Sequence, residues 1–188
     1  SEMCIRDRNI NDDVIDFADK EMDNVVLSLD GRKSVHDHFR KFIDGRGSYD
    51  MVIPNFKKLV ESRNGKKYYI RGTFTSLNKD FLNDILHMAD LGFDQLSMEP
   101  VVCSPDEPYA LTEEDLPLIF DQYEKLAVEM LKRRREGRPF DFYHYMIDLK
   151  NGPCVHKRVA GCGSGCEYMA VTPWGDCLLY TSPSPRNS

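Results

Sequence analysis

The chain has 188 residues, with 25 Lys and Arg side chains against 31 Asp and Glu, which gives a formal net charge of -6. An acidic chain without a basic field is not expected to bind nucleic acid or an anionic membrane surface, and no apolar run approaches the roughly 18 residues of a membrane span. A hydrophobic content of 41% is too high for a disordered chain. We therefore expect a cytoplasmic globular protein without a signal peptide.

The two ends of the sequence do not continue the patterns beside them. Residues 1–8 read SEMCIRDR, and residues 177–188 read CLLYTSPSPRNS, which shows no periodicity. Both strings resemble translated sequencing-adapter sequence, and we expect both to be artefacts. A native disordered tail is the alternative. The natural segment then runs from about 9 to 176.

Three segments rich in apolar, aromatic and β-branched residues predict three strands, each followed by a helical pattern. Strands that alternate with helical crossovers pair in parallel, so the fold class is α/β, and three such units make half of a β/α barrel or part of an open sheet. The predicted strands are 25–30, 68–75 and 94–99, and the predicted helices are 11–20, 34–41, 48–63, 78–91 and 112–136.

Each predicted strand has one apolar side and one polar side. Parallel strands buried on both faces normally read as continuous apolar runs, so these polar sides face either water or a ligand-filled lumen. We favour the lumen, because unpaired charges in a packed barrel core are costly and βα barrels bind ligands at the carboxyl ends of their strands. The polar sides include Ser28, Asp30, Arg71, Gln95 and Glu99, whereas His36, His38, His87 and His144 are expected to be surface or capping residues.

Cysteines are concentrated near the carboxyl end, where four of the six fall between residues 154 and 177. Cys154, Cys162 and Cys166 lie in a glycine-rich segment whose backbone can wrap closely around a bulky centre. Thiolates select zinc or an iron–sulfur cluster. There are two alternatives to a cluster: a zinc site that adds His156 to these cysteines, and free cysteines in a glycine-rich loop.

The string GCGSGCEYMAVTPWGD resembles the start of the SPASM domain of radical S-adenosylmethionine (radical SAM) peptide maturases, and most closely those that install thioether cross-links in SCIFF peptides. The strings SLDGRKSVHDHFR, IRGTFT and FDQLSMEPVV resemble the last three strands of that family's six-unit partial barrel. The resemblance implies that residues 9–138 form the C-terminal half of the radical SAM partial (β/α) barrel. It implies that residues 139–176 form a linker and the start of the SPASM auxiliary-cluster domain.

The resemblance also implies a reaction and its partners. In an intact enzyme of this family, a reduced [4Fe–4S] cluster cleaves S-adenosylmethionine (AdoMet), and the resulting radical takes a hydrogen atom from a ribosomally made precursor peptide. A peptide cysteine sulfur then bonds to that carbon, with the help of an auxiliary [4Fe–4S] cluster. The expected partners are a cysteine-rich precursor peptide and a flavodoxin- or ferredoxin-type electron donor.

The polar sides of the predicted strands suit AdoMet, the ligand that the resemblance implies. On these sides, Ser28 and Asp30 are candidates to hydrogen-bond its ribose or amino group, and Arg71 is a candidate to pair with its carboxylate. Gln95 and Glu99 are weaker candidates. The resemblance further implies that Cys154, Cys162 and Cys166 hold the auxiliary cluster, although relatives usually carry threonine where this chain has Cys166.

The sequence departs from the family pattern in two places. It lacks the three-cysteine loop that binds the AdoMet-cleaving cluster, and Tyr180 stands where the pattern places a SPASM cysteine. We therefore expect a fragment of a radical SAM maturase that is inactive alone. The alternatives are a zinc-stabilised α/β binding module without catalysis and a non-catalytic sheet domain with free thiols.

Overall fold

The computed structural model describes the backbone of Glu2–Ile5 and residues 10–146. The chain divides into two units, Ser1–Met146 and Ile147–Ser188, and the second lies outside the described residues. The three cysteines expected to hold an auxiliary cluster, and most of the segment expected to begin a SPASM domain, therefore also lie outside them.

A five-stranded parallel sheet forms the centre of the first unit, and its strands follow one another in chain order. This sequential order is that of a β/α barrel, whereas a doubly wound sheet reverses its order at a switch point. All carboxyl ends lie at one edge, which we call the carboxyl edge. The strands are β1 (Glu2–Ile5), β2 (Asn24–Ser28), β3 (Lys67–Phe74), β4 (Gln95–Pro100) and β5 (Asp141–Phe142).

Helices return the chain from the carboxyl edge of one strand to the start of the next. Two helices, α2 and α3, make the crossover between β2 and β3, and one helix makes each of the other long crossovers. The α-helices of the described part are α1 (Asp12–Glu21), α2 (Lys33–Phe39), α3 (Tyr49–Ser62), α4 (Phe81–Asp90) and α5 (Leu116–Arg135). None of them is long and apolar enough to cross a membrane.

Several helix ends follow the signals in the sequence. The Asn11 side chain accepts a backbone N–H in the first turn of α1 at 3.0 Å, and Gly92, with φ +97°, follows the end of α4. At two other predicted helix starts, positions 48 and 78, the side chain does not cap the helix. Ser48 donates its hydroxyl to the Arg40 carbonyl oxygen, and Asn78 lies in a 3₁₀ turn before α4, where it accepts the Thr75 backbone N–H at 2.8 Å.

Strand β1 is an element that the sequence pattern did not predict. Glu2–Ile5 pairs in parallel with residues 24–27 of β2, although residues 1–8 were expected to be an artefact. Four residues carry too little periodicity to indicate a strand, and it is the edge of β2 that supplies the backbone partners. The origin of residues 1–8 is a separate matter and stays a prediction.

The apolar side of the sheet packs against the helices, as the alternation predicted. Along β3, every second residue from Tyr68 to Phe74 is buried, and the residues between them are half-buried or exposed. Leu27, Ile70 and Leu96 are register partners on β2, β3 and β4, and all three are fully buried. In the part of the chain that the structure describes, the candidates to meet a ligand are therefore the polar side chains on the opposite face of the sheet.

Candidate functional site

Polar side chains line up in register on the face of the sheet that the helices leave open. Ser28, Arg71 and Ser97 are register partners across β2, β3 and β4, and Thr73 pairs with Glu99 in the next row toward the carboxyl edge. Neighbouring strands are about 4.8 Å apart, so these side chains stand side by side. We call these five residues the polar face.

Two residues expected to bind AdoMet have unused hydrogen-bonding groups. Within the described residues, neither the Ser28 hydroxyl nor the Arg71 guanidinium has a hydrogen-bond or ion-pair partner. Arg71 is exposed, and Ser28 is 8% exposed beside it. A guanidinium carries five N–H donors in a fixed plane that matches a carboxylate. The structure thus brings together a carboxylate-binding group and a hydroxyl group.

The third predicted AdoMet ligand, Asp30, already has internal partners. Its carboxylate accepts hydrogen bonds from Arg40 Nε at 2.5 Å and Nη2 at 2.9 Å, and from the Thr73 backbone N–H at 3.1 Å. Asp30 is only 3% exposed. The carboxylate therefore ties the end of β2 to α2 and β3, and its role toward AdoMet stays a prediction.

The histidines differ from one another more than the sequence indicated. His36, expected at the surface or in a cap, is fully buried: its Nδ1 accepts the Asp30 backbone N–H at 3.4 Å, and its Nε2 lies 3.1 Å from Ser48 Oγ. The surface prediction is wrong because the His36 imidazole is buried between the Asp30 backbone and the Ser48 hydroxyl, with one ring nitrogen directed at each. His38 is exposed, and His87 lies 2.5 Å from the Tyr49 hydroxyl.

A hydrogen-bonded network fixes the second carboxylate of the polar face. Glu99 Oε1 accepts from Ser97 Oγ at 2.8 Å, and Oε2 lies 3.0 Å from His144 Nε2. Burial raises the pKa of Glu99, but the Ser97 hydrogen bond, His144 and the charge of Arg71 outweigh burial and lower it below its ordinary value. Glu99 is therefore a carboxylate that stays ionised.

His144 is the residue of this network that sequence reasoning missed. It lies in the 3₁₀ turn Tyr143–Tyr145 that directly follows β5, and its Nδ1 is 3.0 Å from the Tyr123 hydroxyl of α5. Burial and the charge of Glu99 raise the pKa of Tyr123 to about 12, so the phenol keeps its proton. The aromatic residues beside His144 can be read from the sequence. The two-residue strand β5, which precedes His144 and positions it, cannot.

Gln95, a further residue on the polar sides of the predicted strands, is engaged within the sheet. Its amide nitrogen donates to Asp141 Oδ2 at 3.1 Å, which joins β4 to β5 beyond their backbone ladder. No group of three or more His, Cys, Asp and Glu side chains in the described ranges is arranged to hold a metal. Cys103, in the loop after β4, is a half-buried free thiol.

The chain matches no protein-family model and no curated protein. Its fold is similar to solved structures of native anSMEcpe with bound AdoMet, and of the same protein with bound AdoMet and either Kp18Cys or Cp18Cys peptide. Each comparison has a TM-score of 0.65 and 16% sequence identity, and covers 76% of this chain.

This chain spans 40% of the length of those proteins. At 16% identity the likeness bears on the fold alone. The predicted α/β class is confirmed: the described sheet and helices form a parallel β/α fold similar to part of the fold of those structures, with the polar face on the side of the sheet opposite the helices.

Proposed function

We propose that this chain is part of a radical SAM enzyme that modifies a peptide, and that its polar face binds AdoMet. The observation that carries this proposal is the Arg71 guanidinium, which lies on the polar face of a parallel sheet and has no hydrogen-bond or ion-pair partner among residues 10–146. Parallel β/α folds bind their ligands outside the carboxyl ends of the strands. The bound AdoMet and peptide in the anSMEcpe structures support the same ligand classes here.

The residues present suit the methionyl and ribose groups of AdoMet. Arg71 pairs with the carboxylate through two parallel N–H donors, and the Ser28 hydroxyl hydrogen-bonds the ribose or the amino group. Asp30, held by Arg40, keeps the end of β2 in place beside them. A reduced [4Fe–4S] cluster, when bound, supplies the electron for AdoMet cleavage. The part played by Ser28, Asp30 and Arg71 is to bind AdoMet and orient it.

Removing the guanidinium should weaken AdoMet binding while leaving the fold intact. We expect the Arg71→Met variant to bind AdoMet at least about tenfold more weakly, because a charge-assisted bidentate pair is lost. The measurement is equilibrium dialysis of labelled AdoMet against the 188-residue chain. Lys67→Met is the matched control, since it removes one positive charge from an exposed position of the same strand. Equal affinity of wild type and Arg71→Met would sink the proposal.

We further propose that the reaction is the installation of a thioether cross-link in a cysteine-rich precursor peptide, with electrons from a flavodoxin- or ferredoxin-type donor. This rests on the resemblance of residues 161–176 to the start of a SPASM domain. Cys154, Cys162 and Cys166 are the proposed ligands of an auxiliary [4Fe–4S] cluster. These thiolates suit iron–sulfur or zinc centres by ligand type.

Reconstitution with iron and sulfide distinguishes an iron–sulfur cluster from a zinc site. Under anaerobic conditions with iron and sulfide, we expect a brown protein with bound iron and acid-labile sulfide. Cys162→Ala should lose both, and Cys103→Ala, which alters a thiol in the loop after β4, should keep both. A colourless protein that holds one zinc ion until chelation would instead support the zinc-stabilised module. A protein that binds neither would contradict the proposed cluster.

A further inference from the structure

Glu99 carries hydrogen-bonding capacity that its internal partners do not exhaust. Ser97 occupies one carboxylate oxygen and His144 the other, each through one hydrogen bond. A carboxylate has about four lone-pair sites, so two remain. The side chain is 29% exposed, which leaves these sites open on the polar face.

The geometry makes this carboxylate rigid as well as available. Ser97 is on the same strand, and His144 is itself held by the Tyr123 hydroxyl of α5 at 3.0 Å. Three elements thus fix one carboxylate, whereas the neighbouring Arg71 guanidinium has no internal partner among the described residues. A pre-oriented carboxylate binds a cation without paying a further ordering cost.

We propose that Glu99 is a binding site for a protonated amino group on the polar face, with Ser97 and His144 as the residues that position it. Arg71 and Glu99 then offer opposite charges to one ligand or to two adjacent ligands. The amino group belongs either to AdoMet or to the peptide, and the shared chemistry is an ammonium–carboxylate pair. The placement of these ligands rests on the proposed function.

The pH dependence of this site follows from Glu99. Its lowered pKa keeps the carboxylate charged, so amine binding persists as the pH falls below the ordinary glutamate range and is lost only when Glu99 takes up a proton. At high pH, binding ends when the amine loses its own proton. The charged and titratable groups around Glu99 are Arg71 from β3, His144 from the turn after β5 and Tyr123 from α5, and the Asp30–Arg40 pair lies beyond β3 at the end of β2.

The decisive variant is Glu99→Gln, which keeps the shape of the side chain and removes its charge. Two probes are titrated into the 188-residue chain: AdoMet by equilibrium dialysis, and n-butylammonium by ligand-observed NMR. We expect the affinity of at least one probe to fall about tenfold, which is the loss of one charge-assisted hydrogen bond. Glu114→Gln, at an exposed position before α5, is the control that removes the same charge elsewhere.

The affinities of the Glu99→Gln variant for the two probes show which ligand carries the amino group. A loss of AdoMet affinity assigns the amino group to AdoMet, and a loss confined to n-butylammonium assigns the site to a peptide amine. Unchanged affinity for both probes overturns the inference. If wild type binds n-butylammonium but not AdoMet, the proposed function fails for this chain, and the amine site is then decided by the effect of Glu99→Gln on n-butylammonium binding.

The positioning role of His144 has its own readout. His144→Gln keeps an N–H donor within reach of Glu99 and should retain most of the affinity, whereas His144→Leu should lose as much affinity as Glu99→Gln. Circular dichroism on each variant separates this loss from unfolding. Equal affinities of the Gln and Leu variants would show that His144 does not act through its hydrogen bond.

Discussion

Replacing Arg63 with methionine is expected to lower the free energy of unfolding by about 3–5 kcal/mol, because it removes the four hydrogen bonds that one buried guanidinium makes. Arg63 is 1% exposed, and its guanidinium donates to four backbone carbonyl oxygens at 2.8–2.9 Å. These oxygens belong to the end of α1, the segment before β2 and the first residue of β3. They are those of Ala18, Met22, Asp23 and Lys67.

The position of the guanidinium explains the size of this effect. Carbonyl oxygens at the end of a helix lack intrahelical partners and carry a partial negative charge, which a buried cation satisfies. Arg63 meets the end of α1 from its position just after α3: it donates to the Met22 carbonyl oxygen and adds a second donor to the Ala18 carbonyl oxygen, which also accepts the Met22 N–H at 3.3 Å. It joins two crossover helices and two strands at the end of the sheet opposite the carboxyl edge.

Urea denaturation followed by circular dichroism measures the change. Arg135→Met is the matched control, since Arg135 is exposed in the last turn of α5 and its replacement should change stability by less than about 0.5 kcal/mol. If Arg63→Met and Arg135→Met unfold at the same urea concentration, the carbonyl cluster is not a stabilising element.

The second large effect is expected at Gly31, where alanine should cost about 3 kcal/mol or more. Gly31 has φ +108°, a region that L side chains rarely adopt, and a Cβ there would lie 2.2 Å from Asp84 Cβ. Asp84 is fully buried and cannot move freely, because it accepts hydrogen bonds from the Arg32 backbone and side chain and from Asn78. A methyl group at this position must therefore break that network as well as strain the backbone.

Gly45 supplies the control for Gly31. It also has a positive φ, +84°, but no atom lies within 4 Å of a Cβ placed there. Gly45→Ala should therefore cost only the backbone strain, about 1 kcal/mol. The same denaturation experiment compares the two variants. If the Gly31→Ala and Gly45→Ala variants are equally stable, Asp84 can shift to accommodate the added methyl group, and the predicted larger loss at Gly31 is wrong.

Gly31 also bears on the candidate site, because it lies between Asp30 and Arg32. Asp30 faces Arg40 and β3, while Arg32 pairs with Asp84 at 2.7 Å. Gly31 thus allows the two charged residues on either side of it to point in different directions at the carboxyl edge. A shift here should disturb the end of β2, where Ser28 stands on the polar face.

Much of the sheet was predictable because its signal is local. Three strands were predicted within one or two residues of their observed ends, since alternation of apolar and polar side chains directly reflects one buried face. The predicted start of helix 112–136 also has a local basis, because Asp115 Oδ2 accepts the Thr112 backbone N–H at 2.9 Å. Each of these features depends on residues within a few positions of one another.

The sequence by itself determined the parallel α/β class and the placement of Ser28, Arg71 and Glu99 on one side of the sheet, because strand periodicity assigns faces without reference to the rest of the fold. Only the tertiary structure decided which of these polar groups is free. Asp30 is occupied by Arg40, and Glu99 is held by His144, which lies 45 residues away in sequence. A hydrogen bond between distant residues leaves no periodic trace in the chain, so the difference between a structural carboxylate and an available one appears only when the strands are brought together.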